Sequence, residues 1–278
     1  MIPLPYLTVY RISGADAADF LQAQLAGDIT GLEEGQSCFA AWCSPRGQVI
    51  ALLLLCREAE DWLVVGEEHL ARTVFKRLPM YVLRARVSFK HLAGHWLAGV
   101  PQGPVAVACS RVFAPAHSPL RYAVVTTPPL CPASTGREQL DRWRAEELKH
   151  GVVWLQPATS ERFLPQMLGL ERIGAVSFSK GCYPGQEIVA RTRYLGLLKR
   201  KPVLLEIDGS VPVTAGAPCR LHSEGQVLDA VAIDSAMGET GRSFVLAVAP
   251  LEESAAVDSL EITGRVWPSR RLAVALEN

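Results

Sequence analysis

A cysteine acts as nucleophile or ligand when its surroundings favour the thiolate, and one stretch offers such surroundings. It is Lys180-Gly181-Cys182-Tyr183-Pro184-Gly185-Gln186-Glu187, running on to Arg191. Lys180 stands two residues before Cys182, and Pro184 with Gly185 opens a predicted helix through Arg193. A cation and the unpaired N–H groups of a helix start can therefore surround one thiol and pull its pKa below about 8.5. Pro184 suits a first helical turn, where its missing N–H has no partner to lose. Glu187 and Arg191 are spaced i, i+4 and can pair on one face, which shapes the segment more than it stabilises it. The plain alternative is a tight turn in which a small buried cysteine packs, and the polar neighbours favour the reactive reading.

Other residues have chemistry of their own. Arg191, Arg193, Lys199, Arg200 and Lys201 fall in one short segment with Tyr194 and no acid. This segment either meets an anionic group such as a phosphate or is a solvated linker. Trp143 can stack a flat heteroaromatic ligand, although composition alone favours a core role. His91 and His95 have i, i+4 spacing, but Gly94 between them argues against a ligand-bearing helix, and no metal site is expected. Neither G-x-G-x-x-G, Walker A, H-E-x-x-H nor G-x-S-x-G occurs, so nucleotide binding, zinc hydrolysis and serine hydrolysis lack their usual supports.

The chain sets broad bounds on these readings. Its 278 residues suffice for a sizeable core and more than one domain, and 49% hydrophobic with 20% charged residues describe a soluble, ordered protein. Lys plus Arg and Asp plus Glu are both 28, so no global field steers it to nucleic acid or an anionic membrane. Any RNA contact is then local or indirect. Seven cysteines (38, 43, 56, 109, 131, 182 and 219), without a C-x-x-C pair, point to reduced thiols in a cytoplasmic protein. Met1-Ile2-Pro3-Leu4-Pro5 lacks a basic n-region, so no signal peptide is expected. The apolar run Val49 to Cys56 falls far short of the about 18 residues of a membrane helix and reads as a buried strand.

The elements that must position these residues follow from periodicity. A strand near Leu7 to Ile12 leads to a helix capped by Ser13-Gly14-Ala15-Asp16, with Ala17, Phe20, Leu21, Gln24 and Leu25 on one face and Gly27 as its stop. A meander follows: Phe39 to Trp42, the turn Ser44-Pro45-Arg46-Gly47, Val49 to Cys56, and Trp62 to Val65. Leu70, Val74 and Leu78 mark a second helix stopped by Pro79. Strands are predicted at Val87 to Phe89, Trp96 to Val100 and Tyr122 to Thr126, among proline-rich turns. A third helix spans Arg137 to His150, with Leu140, Trp143 and Leu148 inward and its charged residues on a solvated face. Beyond a linker from Leu195 to Lys201, evenly spaced runs suggest a small barrel: Val203 to Ile207, Ala217 to Leu221, Val227 to Ile233, Phe244 to Val248, Leu260 to Val266 and Leu272 to Leu276.

On these residues the chain resembles the YgfZ-type proteins, relatives of the folate-binding T-protein of the glycine cleavage system. The signature K-G-C-[YF]-x-G-Q-E, with an arginine four residues after the glutamate, is matched by Lys180, Gly181, Cys182, Tyr183, Gly185, Gln186, Glu187 and Arg191. Ile12 to Asp16, Phe20-Leu21-Gln22, Gly27-Asp28-Ile29 and Gly47-Gln48-Val49 resemble the family's opening and following hairpin. The resemblance covers nearly the whole chain and is weakest from about 100 to 135 and in the barrel. It implies an α+β fold of three parts around a central cavity with a C-terminal β-barrel. The corresponding domains are 1–198, with an inner lobe at about 52–135, and 199–278.

The resemblance also implies binding of tetrahydrofolate or a one-carbon-substituted folate, in a monomer that supports iron–sulfur enzymes or assembly proteins and, through them, tRNA methylthiolation. A family tryptophan associated with folate is matched by Trp143, and a second falls at about Leu7, beside Tyr6. The cationic segment is a candidate for the folate glutamate tail. The T-protein carries adjacent aspartates in the hairpin where this chain has Ala51 and Leu52, and a glutamate where it has Lys149. Without those carboxylates, aminomethyl transfer is not expected. Cys182 and Lys180 are then the expected reactive pair, in an accessory protein rather than an enzyme. The alternatives are a folate-dependent one-carbon transferase and a folate-responsive regulatory module without thiol chemistry.

Overall fold

A run such as Val49 to Cys56, apolar at every position, cannot alternate between core and water, so it must lie in a sheet covered on both faces. The computed structural model describes residues 1–102, 111–126, 136–239, 241–250 and 256–272 and buries the whole run. In chain order the first part comprises β1 (Ile2–Pro3), β2 (Leu7–Ser13), α1 (Ala17–Gln24), β3 (Ser37–Cys43), β4 (Val49–Glu58), β5 (Asp61–Glu67) and α2 (Glu68–Arg77). Next come β6 (Ser88–His91), β7 (Trp96–Gly99), β8 (Arg111–Phe113), β9 (Tyr122–Val125), α3 (Arg137–Lys149) and α4 (Gln186–Tyr194). The last part is all strand: β10 (Lys201–Asp208), β11 (Pro218–Ser223), β12 (Gln226–Met237), β13 (Arg242–Ala249), β14 (Ser259–Ile262) and β15 (Arg265–Leu272).

These strands form a five-stranded sheet in the order β3-β4-β5-β2-β6, a four-stranded sheet β1-β7-β9-β8, and a closed barrel β10-β13-β12-β11-β14-β15. The α+β content and the barrel agree with expectation. β1 and β8 gave no sequence signal, being two and three residues long. The run Leu260 to Val266 is not one strand but the hairpin of β14 and β15. Thr263 and Gly264, with φ of 51° and 75°, reverse the chain there. Positions 273–276 of the run expected to begin at Leu272, together with Cys109 and Cys131, lie outside the described residues.

The barrel shows why its strands read as apolar runs. Val203, Leu205 and Ile207 of β10 and Val245, Ala247 and Ala249 of β13 fill its interior. The alternate residues Leu204, Phe244, Leu246 and Val248 join the main core outside it. Both faces of these strands are therefore buried, and α3 covers the outer face of β12 and β13. Polar contacts fix this docking. Arg144 of α3 pairs with Asp234 of β12, and Lys149 Nζ stands 4.3 Å from the centroid of the Phe244 ring. The charged residues of α3 are thus not all on a solvated face, because Arg144 and Glu147 point inward.

Asp16 is the N-cap of α1 but its carboxylate does not cap the helix. It receives the Arg86 backbone N–H at 2.7 Å and the guanidinium at 3.2–3.3 Å, tying the helix start to the segment before β6. Removing one partner of a buried ion pair leaves the other uncompensated. Asp234→Ala is therefore expected to destabilise the protein by about 3 kcal/mol in urea unfolding, the low end for such pairs because Arg144 stays partly exposed. Arg144→Met with Asp234→Leu is expected to recover most of the loss.

Candidate functional site

The loop before α4 is built around a buried ammonium. Hydrogen-bond acceptors must replace the water that a lysine loses on burial. Lys180 Nζ, in a side chain only 9% exposed, donates to the carbonyl oxygens of Gln22, Leu25 and Gly27 at 2.6, 2.8 and 2.8 Å. These carbonyls belong to the end of α1 and the residues just past it, where a helix leaves acceptors unmet and favours a cation. The Tyr183 ring centroid lies 5.8 Å from the same nitrogen. Burial lowers the Lys180 pKa to about 8, opposed by Asp28 and Cys38. All three ammonium donors are used on carbonyls, so the expected contact of Lys180 with the Cys182 sulfur is absent.

Backbone bonds lay the preceding chain against the same region. The Ser177 N–H donates to Ala26 O, the Ala26 N–H to Ala41 O, and the Ala41 N–H to Ala175 O. Ser177 Oγ accepts from the Lys180 N–H, and Gln186 Nε2 donates back to Lys180 O at 3.3 Å. Gly181 and Cys182 are left at the exposed apex, and Cys182 is the exposed free thiol among the described cysteines. Cys38, Cys43, Cys56 and Cys219 are buried. Burial pushes the thiols of Cys38 and Cys43 up to about 12 and that of Cys219 to about 11.

Gly185 is fixed by sterics rather than by helix chemistry. Its φ is +82°, and a Cβ there would meet Ser44 O at 2.4 Å and the Gly47 backbone at 2.6 Å. Gly47, with φ +73°, would bring its own Cβ to 3.2 Å from Gly185 O. The motif and the turn between β3 and β4 therefore touch backbone to backbone, a contact that two glycines permit. Gly185 is the N-cap of α4, which begins at Gln186, so Pro184 precedes the helix and does not occupy its first turn. Behind α4, the buried Gln166 donates from Nε2 to Val189 O at 2.7 Å. Glu187 and Arg191 are both exposed and form no ion pair. Gly181 is different from Gly185, as a Cβ there would meet nothing within 4 Å.

A second candidate region surrounds α3. Glu147, only 2% exposed, accepts from Tyr6 Oη at 2.6 Å, Tyr122 Oη at 3.0 Å and Trp154 Nε1 at 3.0 Å. Burial raises its pKa to about 7, while these donors and the nearby Trp143 indole favour the anion. Trp143 Nε1 is itself buried without a hydrogen bond of ordinary geometry. One face of the Trp143 ring lies on Gly99, whose added Cβ would come within 2.4 Å of it, and Tyr122 meets the ring edge-on at 5.6 Å. The indole also lines a cleft of about 600 Å³ with Ile2, Val100, Pro101, Leu120, Arg142 and His150.

The expected residues thus fall into two groups. Trp143 and Tyr6 both neighbour Glu147 of α3, although Tyr6 lines neither cleft, whereas the motif sits against the end of α1 through Lys180 and the turn between β3 and β4 through Gly185. Leu7 is buried in β2 and lines neither cleft. A further cleft of about 570 Å³ borders the motif and is lined by Asp28, Cys38, His117, Ser177, Ser179 and Tyr194 among others. Sequence reasoning missed Glu147, Tyr122, Trp154 and Gly99. Glu147 had a signal, since it stands i+4 from Trp143 and i+7 from Leu140 on the apolar face of α3. Ala51 and Leu52 are each 1% exposed within β4, and Lys149 Nζ bonds Glu146. Among the described residues no group of three or more His, Cys, Asp or Glu side chains is placed to hold a metal, and no helix is long and apolar enough to cross a membrane. His91 ends β6 with its Nε2 3.0 Å from Thr8 Oγ1, and His95 lies beyond a turn.

Two outcomes follow from this geometry. Gly185→Ala is expected to cost more than about 2 kcal/mol in denaturant unfolding, because it meets both a positive φ and backbone atoms, whereas Gly181→Ala stays within about 0.5 kcal/mol. A carboxyl raised from 4.5 to about 7 binds its proton more tightly folded than unfolded across that interval, so stability falls as pH rises through it. The expected slope is about 1.4 kcal/mol per pH unit, and Glu147→Gln, neutral throughout, removes it from a thermal-unfolding pH series.

No model of a known protein family matches the chain. It is 28% identical over 247 residues to an uncharacterized protein of Haemophilus influenzae, covering 85% of this chain and 86% of that one. It is 27% identical over 300 aligned positions to proteins of Shigella sonnei and Escherichia coli named tRNA-modifying protein YgfZ, covering 96% of this chain and 88% of each. Its fold matches that of the glycine cleavage system aminomethyltransferase T from Bartonella henselae. The TM-score is 0.70 at 17% identity, covering 99% of this chain and 85% of that one. The chain is thus similar in sequence to the YgfZ proteins and shares the aminomethyltransferase T fold.

Proposed function

We propose that this protein is a folate-binding accessory factor in tRNA modification, supporting assembly or repair of iron–sulfur clusters in the modifying enzymes, with Cys182 as its reactive group. The observation that carries the reading is the division of labour inside the motif. Lys180, Tyr183, Gly185 and Gln186 are all engaged in holding the loop, while the Cys182 thiol is presented to solvent beside the exposed Gly181. Lys180 is then a positioning residue, acting through the backbone it anchors. The relatives named for tRNA modification support the biological setting.

The folate part rests on the cleft beside Trp143. At about 600 Å³ it is within the range of small-ligand pockets, and it joins an aromatic ring and apolar walls to a few polar groups, including Arg142 and His150. Those residues fit a flat heteroaromatic ring bearing an anionic tail. When bound, a reduced folate would supply one-carbon chemistry. The positions where the T-protein has its aspartates are apolar and buried here, so this chain has no carboxylate at Ala51 or Leu52 to assist that chemistry. The chemistry of this chain accordingly centres on sulfur, with residues 1–198 forming the folate-binding domain and 199–278 the barrel domain.

A single thiol cannot hold a cluster alone, so its remaining ligands must come from a partner or a small thiol. Titration with tetrahydrofolate is expected to quench tryptophan fluorescence in the wild type and to lose most of that response in Trp143→Ala. Absence of quenching in the wild type would remove the folate premise. Cys182→Ala is expected to fold normally and to fail to complement a tRNA-methylthiolation defect in cells, and full complementation by it would overturn the thiol role.

A further inference from the structure

The helix that follows the motif, and the turn just past its end, carry exposed apolar side chains among cations. Ile188, Tyr194, Leu195 and Leu197 are 40%, 70%, 60% and 51% exposed, four large apolar side chains within ten residues of sequence. Around them stand Arg191, Arg193 and Lys199, all exposed, and Arg200, half-buried. Arg46 adds another exposed cation from the turn that touches Gly185. Among the described residues these five cations make no ion pair, and the Arg193 guanidinium lies 4.1 Å from the Phe178 ring centroid instead. Elsewhere Arg11, Arg72, Arg77, Arg86, Arg142 and Arg144 each pair with a carboxylate. In a chain of zero net charge, a segment with five such cations and one exposed acid, Glu187, is a local concentration of positive charge, with Arg191 and Arg193 bordering α4 on opposite sides. Tyr194 also lines the neighbouring cleft, whose acidic side chains are Asp28 and Glu171.

We infer that this surface of α4 and the turn past its end docks a protein partner whose surface sets acidic side chains around an apolar centre, and that docking places the partner over Cys182. Composition selects the occupant. Exposed aliphatic side chains gain nothing from phosphates but gain from being covered by an apolar partner surface. Tyr and Arg are the residue types that protein interfaces favour. A second copy of this chain is excluded by charge, because the same cations would face one another. The thiol stands on the loop that leads directly into this helix, so a partner seated on α4 supplies groups to the sulfur that this chain lacks. The inference deepens the accessory role proposed above, and rests on it for the purpose of docking but not for the surface itself.

The test uses the full-length protein carrying a photo-crosslinking amino acid at Leu195 or Leu197 in cells, with Val227 and Val266 of the barrel, 56% and 57% exposed, as controls. The expected result is a protease-sensitive, nuclease-resistant adduct at 195 and 197 that maps to one acid-bordered apolar segment. With that partner purified, the double variant Arg191→Glu and Arg193→Glu weakens binding by about tenfold or more, and Asp or Glu→Lys in the mapped segment restores part of it. A nuclease-sensitive adduct would assign the face to RNA, and an adduct of doubled mass would assign it to self-association. Either overturns the inference, as do equal crosslinking at the controls, no adduct, and charge reversal without effect. The two readings separate cleanly. If Cys182→Ala abolishes complementation but charge reversal changes nothing, the thiol role stands and the docking face falls. If docking persists while Cys182→Ala complements fully, the surface stands and the thiol role falls.

Discussion

An ionisable group taken out of water must meet a full set of hydrogen-bond partners, and this constraint shapes both functional regions. Lys180 meets it with three carbonyls, and Glu147 meets it with two phenols and an indole. In each case the partners come from segments remote in sequence, so satisfying one side chain draws several elements together. Lys180 joins the motif loop to the end of α1. Glu147 joins α3 to the start of β2, to β9 and to the chain after the helix. Burial shifts both groups, Glu147 up to about 7 and Lys180 down to about 8.

The two regions also share a packed path. Phe39 of β3 meets Tyr122 edge-on at 6.2 Å and Trp154 at 6.0 Å, and Tyr122 in turn meets Trp143. Next to Phe39, Cys38 lines the cleft beside the motif. β3 thus runs between the Trp143 cleft and the loop that presents Cys182. The barrel contributes from the other side of α3, where its outward residues complete the main core rather than meeting water.

Much of this was legible in the sequence. The helix from Arg137 ends within one residue of its expected limit, since Leu140, Trp143 and Leu148 marked its inner side and Gly151 its stop. The meander and most barrel strands fall where alternation or unbroken apolar runs placed them. The motif residues were also visible, but their roles were not. Nearness in sequence suggested that Lys180 serves Cys182, whereas its partners lie more than a hundred residues earlier, at the end of α1. Glu147 was hidden because a carboxylate on a charged helix reads as solvated until the opposing tyrosines are known. The thirteen-residue α3 carries so many charges that its inward pair stands out only by position.

The contact between Gly47 and Gly185 has a consequence for how this motif can be moved between proteins. Its geometry is written in two segments, one in a hairpin of the first sheet and one before α4, each shaped to the other's backbone. Grafting the octapeptide alone onto another scaffold of this fold would carry the cysteine but not its mount. The heritable unit is the pair, and drift at the hairpin glycine would strain the mount of the distant loop while leaving every residue of its signature intact.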